Sequence, residues 1–142
     1  MRRISAGLAA AALALTGALA ATPAASAAAV TDFEPGFIVS DEVFYNSTAM
    51  SQAEVTQFLA AKGAGCTSTS TATCLKDYAE TTSTIPADKY CSSYVSGGYE
   101  SGAQISSKVA LACGVNPQVL LVTLQKEQGL VSSTAPSDWS YR

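Results

Sequence analysis

The chain has 142 residues, with eleven Asp and Glu against eight Lys and Arg, and a formal net charge of −3. An acidic chain argues against nucleic acid as a partner, because the phosphate backbone is bound mainly through Lys and Arg. The sequence contains no histidine, which excludes Ser-His-Asp and Cys-His catalysis. It also lacks a phosphate-binding GxxxxGK[ST] loop and a dinucleotide fingerprint. We therefore expect no cofactor.

Residues 1–27 are typical of a bacterial secretory signal peptide. Arg2 and Arg3 form a basic start, residues 8–21 are apolar, and a small-residue sequence ends at Ala27. The apolar stretch is too short for a convincing membrane span, although a retained N-terminal anchor is the alternative. Cleavage after Ala27 would remove both arginines and leave a net charge of −5. We therefore predict a secreted or wall-associated protein with no stable membrane insertion after cleavage.

The mature chain divides into an arm, residues 28–50, and a folded domain, residues 51–142. The arm mixes aromatic, β-branched and turn residues, which predicts an extended conformation with at most one short strand.

The first helix of the domain is predicted over Gln52–Lys62. Ser51 is the N-cap, Glu54 completes a capping box, and Gly63 ends the helix. Its buried face is predicted to contain Val55, Phe58 and Leu59. These features indicate a packing element and not a site of chemistry.

Four cysteines follow the signal peptide, and an even number in a secreted chain predicts two disulfides. Three pairings are possible. We favour Cys66–Cys74, which closes a Ser/Thr/Ala loop, and Cys91–Cys113, which connects a loop to the end of a helix. Zinc is the alternative, but there is no histidine and no CxxC spacing, so we predict no metal site.

The middle of the domain, residues 66–98, is rich in Ser, Thr and Gly. It predicts turns with short helical pieces around residues 75–78 and 88–92. The region contains four tyrosines: Tyr78, Tyr90, Tyr94 and Tyr99. We expect them to pack these irregular loops onto a small core, and a sugar site that they line is the alternative.

A further helix is predicted over Gly102–Cys113, with a second capping box formed by Ser101 and Gln104. Gly114 ends it, and the next helix follows almost immediately, which predicts an αα-hairpin. The fold class is therefore mainly α, a small helical domain held by disulfides.

The last helix places a carboxylate in its final turn. Asn116 is a good N-cap, Pro117 suits the first helical position, and Gly129 suits the end. At about 100° per residue, Glu127 aligns with Leu124 on the apolar stripe. Partial desolvation and the helix dipole would both favour the protonated acid, as a general acid requires. The alternative is that Glu127 bends out to solvent.

This segment, P-x-x-L-L-x-x-x-x-x-E-x-G from Pro117 to Gly129, resembles the first catalytic motif of lytic transglycosylases and goose-type lysozymes. Their catalytic helix begins with Pro and closes with Glu-Ser-Gly, and Gln128 replaces that serine here. The resemblance is confined to this segment. It implies the front of a lysozyme-like fold, peptidoglycan as substrate and Glu127 as the general acid.

The C-terminal residues contain an acid beside two aromatics, Asp138, Trp139 and Tyr141. Trp139 and Tyr141 are candidate substrate-binding residues, because aromatic faces stack on sugar rings, and core packing is the alternative. Asp138 is a candidate second carboxylate. In the families with this motif the sugar groove follows the glutamate helix, whereas fifteen residues follow Glu127 here. We therefore expect a chain that is incomplete at its C-terminus, with a complete small protein as the alternative.

The functional prediction is a secreted peptidoglycan hydrolase or lytic transglycosylase. With one well-placed carboxylate, Glu127, we favour the transglycosylase route, in which the sugar's own hydroxyl attacks. A non-catalytic wall-binding or adhesion module is the alternative, and a small structural protein is a third.

Overall fold

The structure, a computed structural model, describes residues 34–141. The predicted signal peptide and its cleavage site lie outside these residues. The chain divides after Pro35, and the elements belong to the unit Gly36–Arg142. In chain order they are α1 (Asp41–Phe44), α2 (Gln52–Lys62), a 3-10 turn (Leu75–Asp77), β1 (Ala79–Thr81), β2 (Tyr99–Ser101), α3 (Gly102–Cys113), α4 (Pro117–Gln128) and a second 3-10 turn (Asp138–Tyr141).

The three long helices confirm the sequence prediction, because each begins at its predicted cap. The Ser51 and Ser101 side chains each accept from the backbone N–H three residues on, and both capping boxes are complete. Asn116 accepts from the Gln118 N–H at the start of α4. Local capping therefore fixes where these helices start, whatever they pack against.

Helices α2 and α4 both pack against α3, and the first 3-10 turn packs against α2 and α3. The buried cluster draws on all three helices and on the chain after α4: Val55, Leu59, Leu75, Ala103, Leu121, Leu130 and Val131. Removal of these apolar side chains from water is the main stabilising contribution, at about 25 cal/mol per Å². The fold is thus mainly helical, as predicted.

The connection between α3 and α4 is short, but the two helices are not antiparallel. Gly114 has φ of 66°, in the left-handed region, and ends α3. The two helix axes then turn through 120°. The predicted αα-hairpin is therefore present in an open form.

A two-stranded antiparallel sheet is the main element that sequence reasoning missed. Strands β1 and β2 pair Ala79 with Ser101 and Thr81 with Tyr99, and between them Glu80 lies opposite Glu100. Like charges placed directly opposite each other destabilise a sheet. Here Lys108 of α3 forms an ion pair with Glu100, which offsets that repulsion.

Two short elements differ from prediction. Residues 41–44 of the arm form one helical turn, capped by Ser40, where an extended conformation was expected. Residues 88–92 are not helical, because the Asp88 carboxylate accepts from the N–H groups of Tyr90 and Cys91, both at 2.7 Å. This Asx turn competes with a helix for the same backbone donors. The piece near residues 75–78 is helical, as predicted.

Candidate functional site

The end of α4 has the backbone geometry that the sequence predicts. Pro117 occupies the first turn, where its missing N–H removes no intrahelical bond. Gly129 has φ of 66°, and its N–H donates to the carbonyls of Leu124 and Gln125. Glu127 therefore lies in the last turn of a helix whose two ends are both capped.

The Glu127 side chain points to solvent. It is 60% exposed, and its Oε1 lies 3.0 Å from Nζ of Lys126. The interpretation that Glu127 is partly desolvated on the apolar stripe is wrong, and the alternative, that its side chain bends out to solvent, holds. The stripe ends at half-buried Leu124, because the chain reverses at Gly129 and buries Leu130 in the core instead. The catalytic role of Glu127 stays a prediction.

A cavity of about 320 Å³ lies beside this helix end. Gln128, the residue after Glu127, lines it together with Leu124. Tyr78, Glu80 and Tyr141 also line it. Glu127 is not among the lining residues. The cavity combines aromatic, carboxylate and amide groups, which are the groups that fix the orientation of a polar ligand.

Tyr141 lies in this wall but is engaged by the protein. Its ring stacks on Tyr78 with centroids 4.4 Å apart and planes within 4°. Its hydroxyl donates to the carbonyl of Thr73 at 2.6 Å. Burial, and then the neighbouring Tyr78 and Asp77, raise the pKa of Tyr141 to about 12. One ring face and the hydroxyl are therefore used for packing, and a sugar could contact only what remains.

Trp139 and Asp138 lie on the C-terminal 3-10 turn. Trp139 is 78% exposed, and Asp138 is exposed as well. Neither lines the cavity beside Gln128. Trp139 is therefore exposed, and the structure does not bring it together with Tyr141 in one cavity.

Glu100 is the buried carboxylate of the described chain, and sequence reasoning missed it. It is 3% exposed. It pairs with Lys108 and accepts from the Thr82 hydroxyl, from the Gly97 N–H at 3.0 Å and from the Tyr94 hydroxyl at 2.7 Å.

The same contacts decide the charge of Glu100. Together these contacts lower the pKa of Glu100 to about 2. The hydrogen bond from Lys108 lowers the pKa most, followed by those from Thr82, Gly97 and Tyr94. An acid with so low a pKa is ionised at neutral pH and donates no proton. Glu100 therefore connects the loop before β2 to α3 and is not a general acid. No local sequence pattern distinguishes it from an exposed glutamate.

Both predicted disulfides are confirmed. Cys66 bonds to Cys74, and Cys91 bonds to Cys113 at the last position of α3. No cysteine among residues 34–141 is free. Disulfides form and persist in oxidising compartments, which indicates a location outside the cytoplasm.

Among residues 34–141 no single helix has the length and apolar character needed to cross a membrane. Taken together, the bent pair α3 and α4 is long and apolar enough by length and composition alone.

Metal ligands are not clustered in the described part of the chain, where no three His, Cys, Asp or Glu residues lie close enough to hold an ion.

Comparison with known proteins gives no relative: no family model matches the sequence, and no curated protein or solved structure is significantly similar to it. The function must therefore be argued from the residues themselves.

Proposed function

We propose that the protein is a secreted glycan hydrolase or lytic transglycosylase that acts on peptidoglycan, with Glu127 as general acid. The observation that carries the proposal is the placement of an accessible carboxylate at the end of a rigid helix. Asn116 caps that helix at its start and left-handed Gly129 ends it. A catalytic group needs this kind of backbone support.

Exposure of Glu127 suits a polymeric substrate. At 60% exposed, the carboxylate can reach a glycosidic oxygen on a chain lying across the surface. A glycan that covers it would displace water, and loss of water disfavours the charged form of a carboxyl group. Substrate binding would thus bring the carboxyl group and the glycosidic oxygen together away from water.

The single-acid route fits the surroundings of Glu127 better than the two-carboxylate route. A lysozyme-type retaining mechanism needs a second carboxylate to stabilise or capture the glycosyl cation. The charged group paired with Glu127 in the described chain is Lys126, a cation. We therefore favour the route in which Glu127 first protonates the leaving oxygen and then, as base, activates the sugar's own hydroxyl.

The direct test is Glu127→Gln in the full chain, assayed by release of soluble sugar fragments from insoluble peptidoglycan. Loss of the acid should lower the rate by about 10²–10⁴-fold, the usual contribution of general acid–base catalysis. Glu42→Gln on α1 is the matched control, because Glu42 is also exposed and should change nothing. Unchanged lysis by Glu127→Gln would reject the assignment.

The alternative, a non-catalytic wall-binding module, is favoured by one observation: Trp139 is exposed while Glu127 lies outside the neighbouring cavity. This function requires retention on insoluble peptidoglycan without release of fragments. Trp139→Ala should then abolish retention, whereas Glu127→Gln should not affect it. Phe37→Ala is the control, because Phe37 is also exposed and aromatic.

A further inference from the structure

A groove of about 720 Å³ lies between α2 and α4. This volume lies in the range of pockets that bind small molecules. The groove is separate from the cavity beside Gln128 and does not include Glu127. What it binds is therefore a question independent of the proposed glycan chemistry.

The walls of the groove are apolar. Leu121 and Val131 belong to the core and form its deepest part. Met50 and Phe58 are half buried, and Val122, which also lines the groove, is 64% exposed. A cleft with this lining favours an apolar ligand, because each CH₂ removed from water contributes about 0.8 kcal/mol.

The two ends of the groove differ in charge. Glu54, Phe58 and Lys62 follow one another at four-residue spacing and therefore share one face of α2. The Glu54 and Lys62 backbones are about 12 Å apart, at 1.5 Å per residue. An anionic end near Met50 and a cationic end at Lys62 give the groove a direction.

The charges at the two ends are not equally available. Glu54 is engaged by its capping box, where its carboxylate accepts from the Ser51 N–H at 2.7 Å and from the Ser51 hydroxyl at 2.8 Å. Lys62 has no carboxylate partner among residues 34–141, and its ammonium lies 5.9 Å from the centroid of the Phe58 ring. An incoming anion would therefore meet an unpaired cation at one end only.

We propose that this groove binds a single-chain amphiphile with an anionic head, its carboxylate at Lys62 and its apolar chain running along Phe58 and Leu121 toward Met50. Dodecanoate, below its critical micelle concentration, is the probe. Dodecyltrimethylammonium has the same chain with the opposite charge. Calorimetric titration of the full chain should give one dodecanoate site and markedly weaker binding of the cation.

Two variants separate the head contact from the wall. Lys62→Gln should weaken dodecanoate binding about two- to fivefold, the size of one exposed ion pair. Val122→Glu places a carboxylate on the apolar wall and should weaken it at least about tenfold, because a charge there must be desolvated. Val95→Glu is the control, since Val95 is similarly exposed and lies outside the groove.

Three results would overturn the proposal. Equal affinity for the two probes would mean that Lys62 does not select the head. Equal loss of binding in Val95→Glu and Val122→Glu would mean that the groove is not the site. Concentration-dependent self-association that Val122→Glu abolishes, measured by sedimentation without ligand, would assign the groove to a second copy of the chain.

Discussion

The side-chain amide of Asn116 donates to the carbonyl of Val43 at 2.9 Å, across 73 residues of sequence. The backbone N–H of Asn116 also donates to the Phe44 carbonyl at 2.7 Å, and its side-chain oxygen caps α4 through the Gln118 N–H. Asn116 is almost fully buried. Asn116 therefore starts the Glu127 helix and also holds α1 against that start.

Replacement of Asn116 should separate these two roles. Asn116→Ala removes both the cap and the bond to Val43, and should lower the free energy of unfolding by about 1–3 kcal/mol. Asn116→Ser keeps a capping oxygen and loses mainly the Val43 bond, so it should be less harmful. Urea denaturation of both variants measures the difference. Equal losses would show that the cap contributes nothing.

Glu100 should make the protein sensitive to acid. Its folded-state pKa is lowered from 4.5 to about 2, so the stability it contributes is present above about pH 4.5 and is lost as the pH falls toward 2. The urea denaturation midpoint, measured at several pH values in this interval, should fall less steeply with decreasing pH in Glu100→Gln than in the unmodified protein.

Other carboxylates also have a lowered pKa and should leave part of that slope in place: Glu54, Asp77 and Asp88. Glu42→Gln, on an exposed side chain, is the control and should keep the slope of the unmodified protein. An identical pH dependence in Glu100→Gln and the unmodified protein would contradict the assignment.

The two disulfides should differ in their contribution to stability. The Cys91–Cys113 bond closes a separation of 22 residues and the Cys66–Cys74 bond one of 8. On the loop-entropy estimate they contribute roughly 3.4 and 2.5 kcal/mol. Thermal unfolding of the two double Cys→Ala variants should therefore give the lower Tm for the 91–113 pair. The reverse order would indicate that core packing at Cys66 and Cys74, both buried, outweighs chain entropy.

Two adjacent residues of α4 test where the core begins. Leu121 is 3% exposed and Val122 is 64% exposed. Leu121→Ala should destabilise the fold by about 2–5 kcal/mol because it leaves a cavity, whereas Val122→Ala should stay within about 0.5 kcal/mol. Chemical denaturation measures both. Similar effects would mean that α4 is rotated relative to the core.

The sequence was sufficient for α2, α3 and α4 because their start signals are local: a capping residue followed by a Gln or Glu, or by Pro117. It was insufficient for β1 and β2, which are three residues each and too short to show an alternating pattern. Glu100 is bonded to Lys108, eight residues later, and to Thr82, eighteen residues earlier, and no periodic pattern in the sequence indicates these contacts.

The error at Glu127 has the same origin. A helical wheel assumes that other parts of the protein pack against the apolar stripe along its whole length. Here the chain after α4 returns Leu130 and Val131 to the core, and this return decides where the buried part of the stripe ends. This is a tertiary contact. The pairing of the cysteines could be predicted because one bond closes a short loop and the other reaches a helix terminus.

The bond between Cys91 and Cys113 also bears on survival outside the cell. The loop between Cys91 and β2 contains exposed residues at which an extracellular protease could cut, among them Ser92, Ser93 and Val95. A single cut there would leave the two fragments covalently joined, since each retains one sulfur of the bond. Nicked protein would run as one band until it is reduced, and the helix that carries Glu127 would stay attached to the rest of the chain.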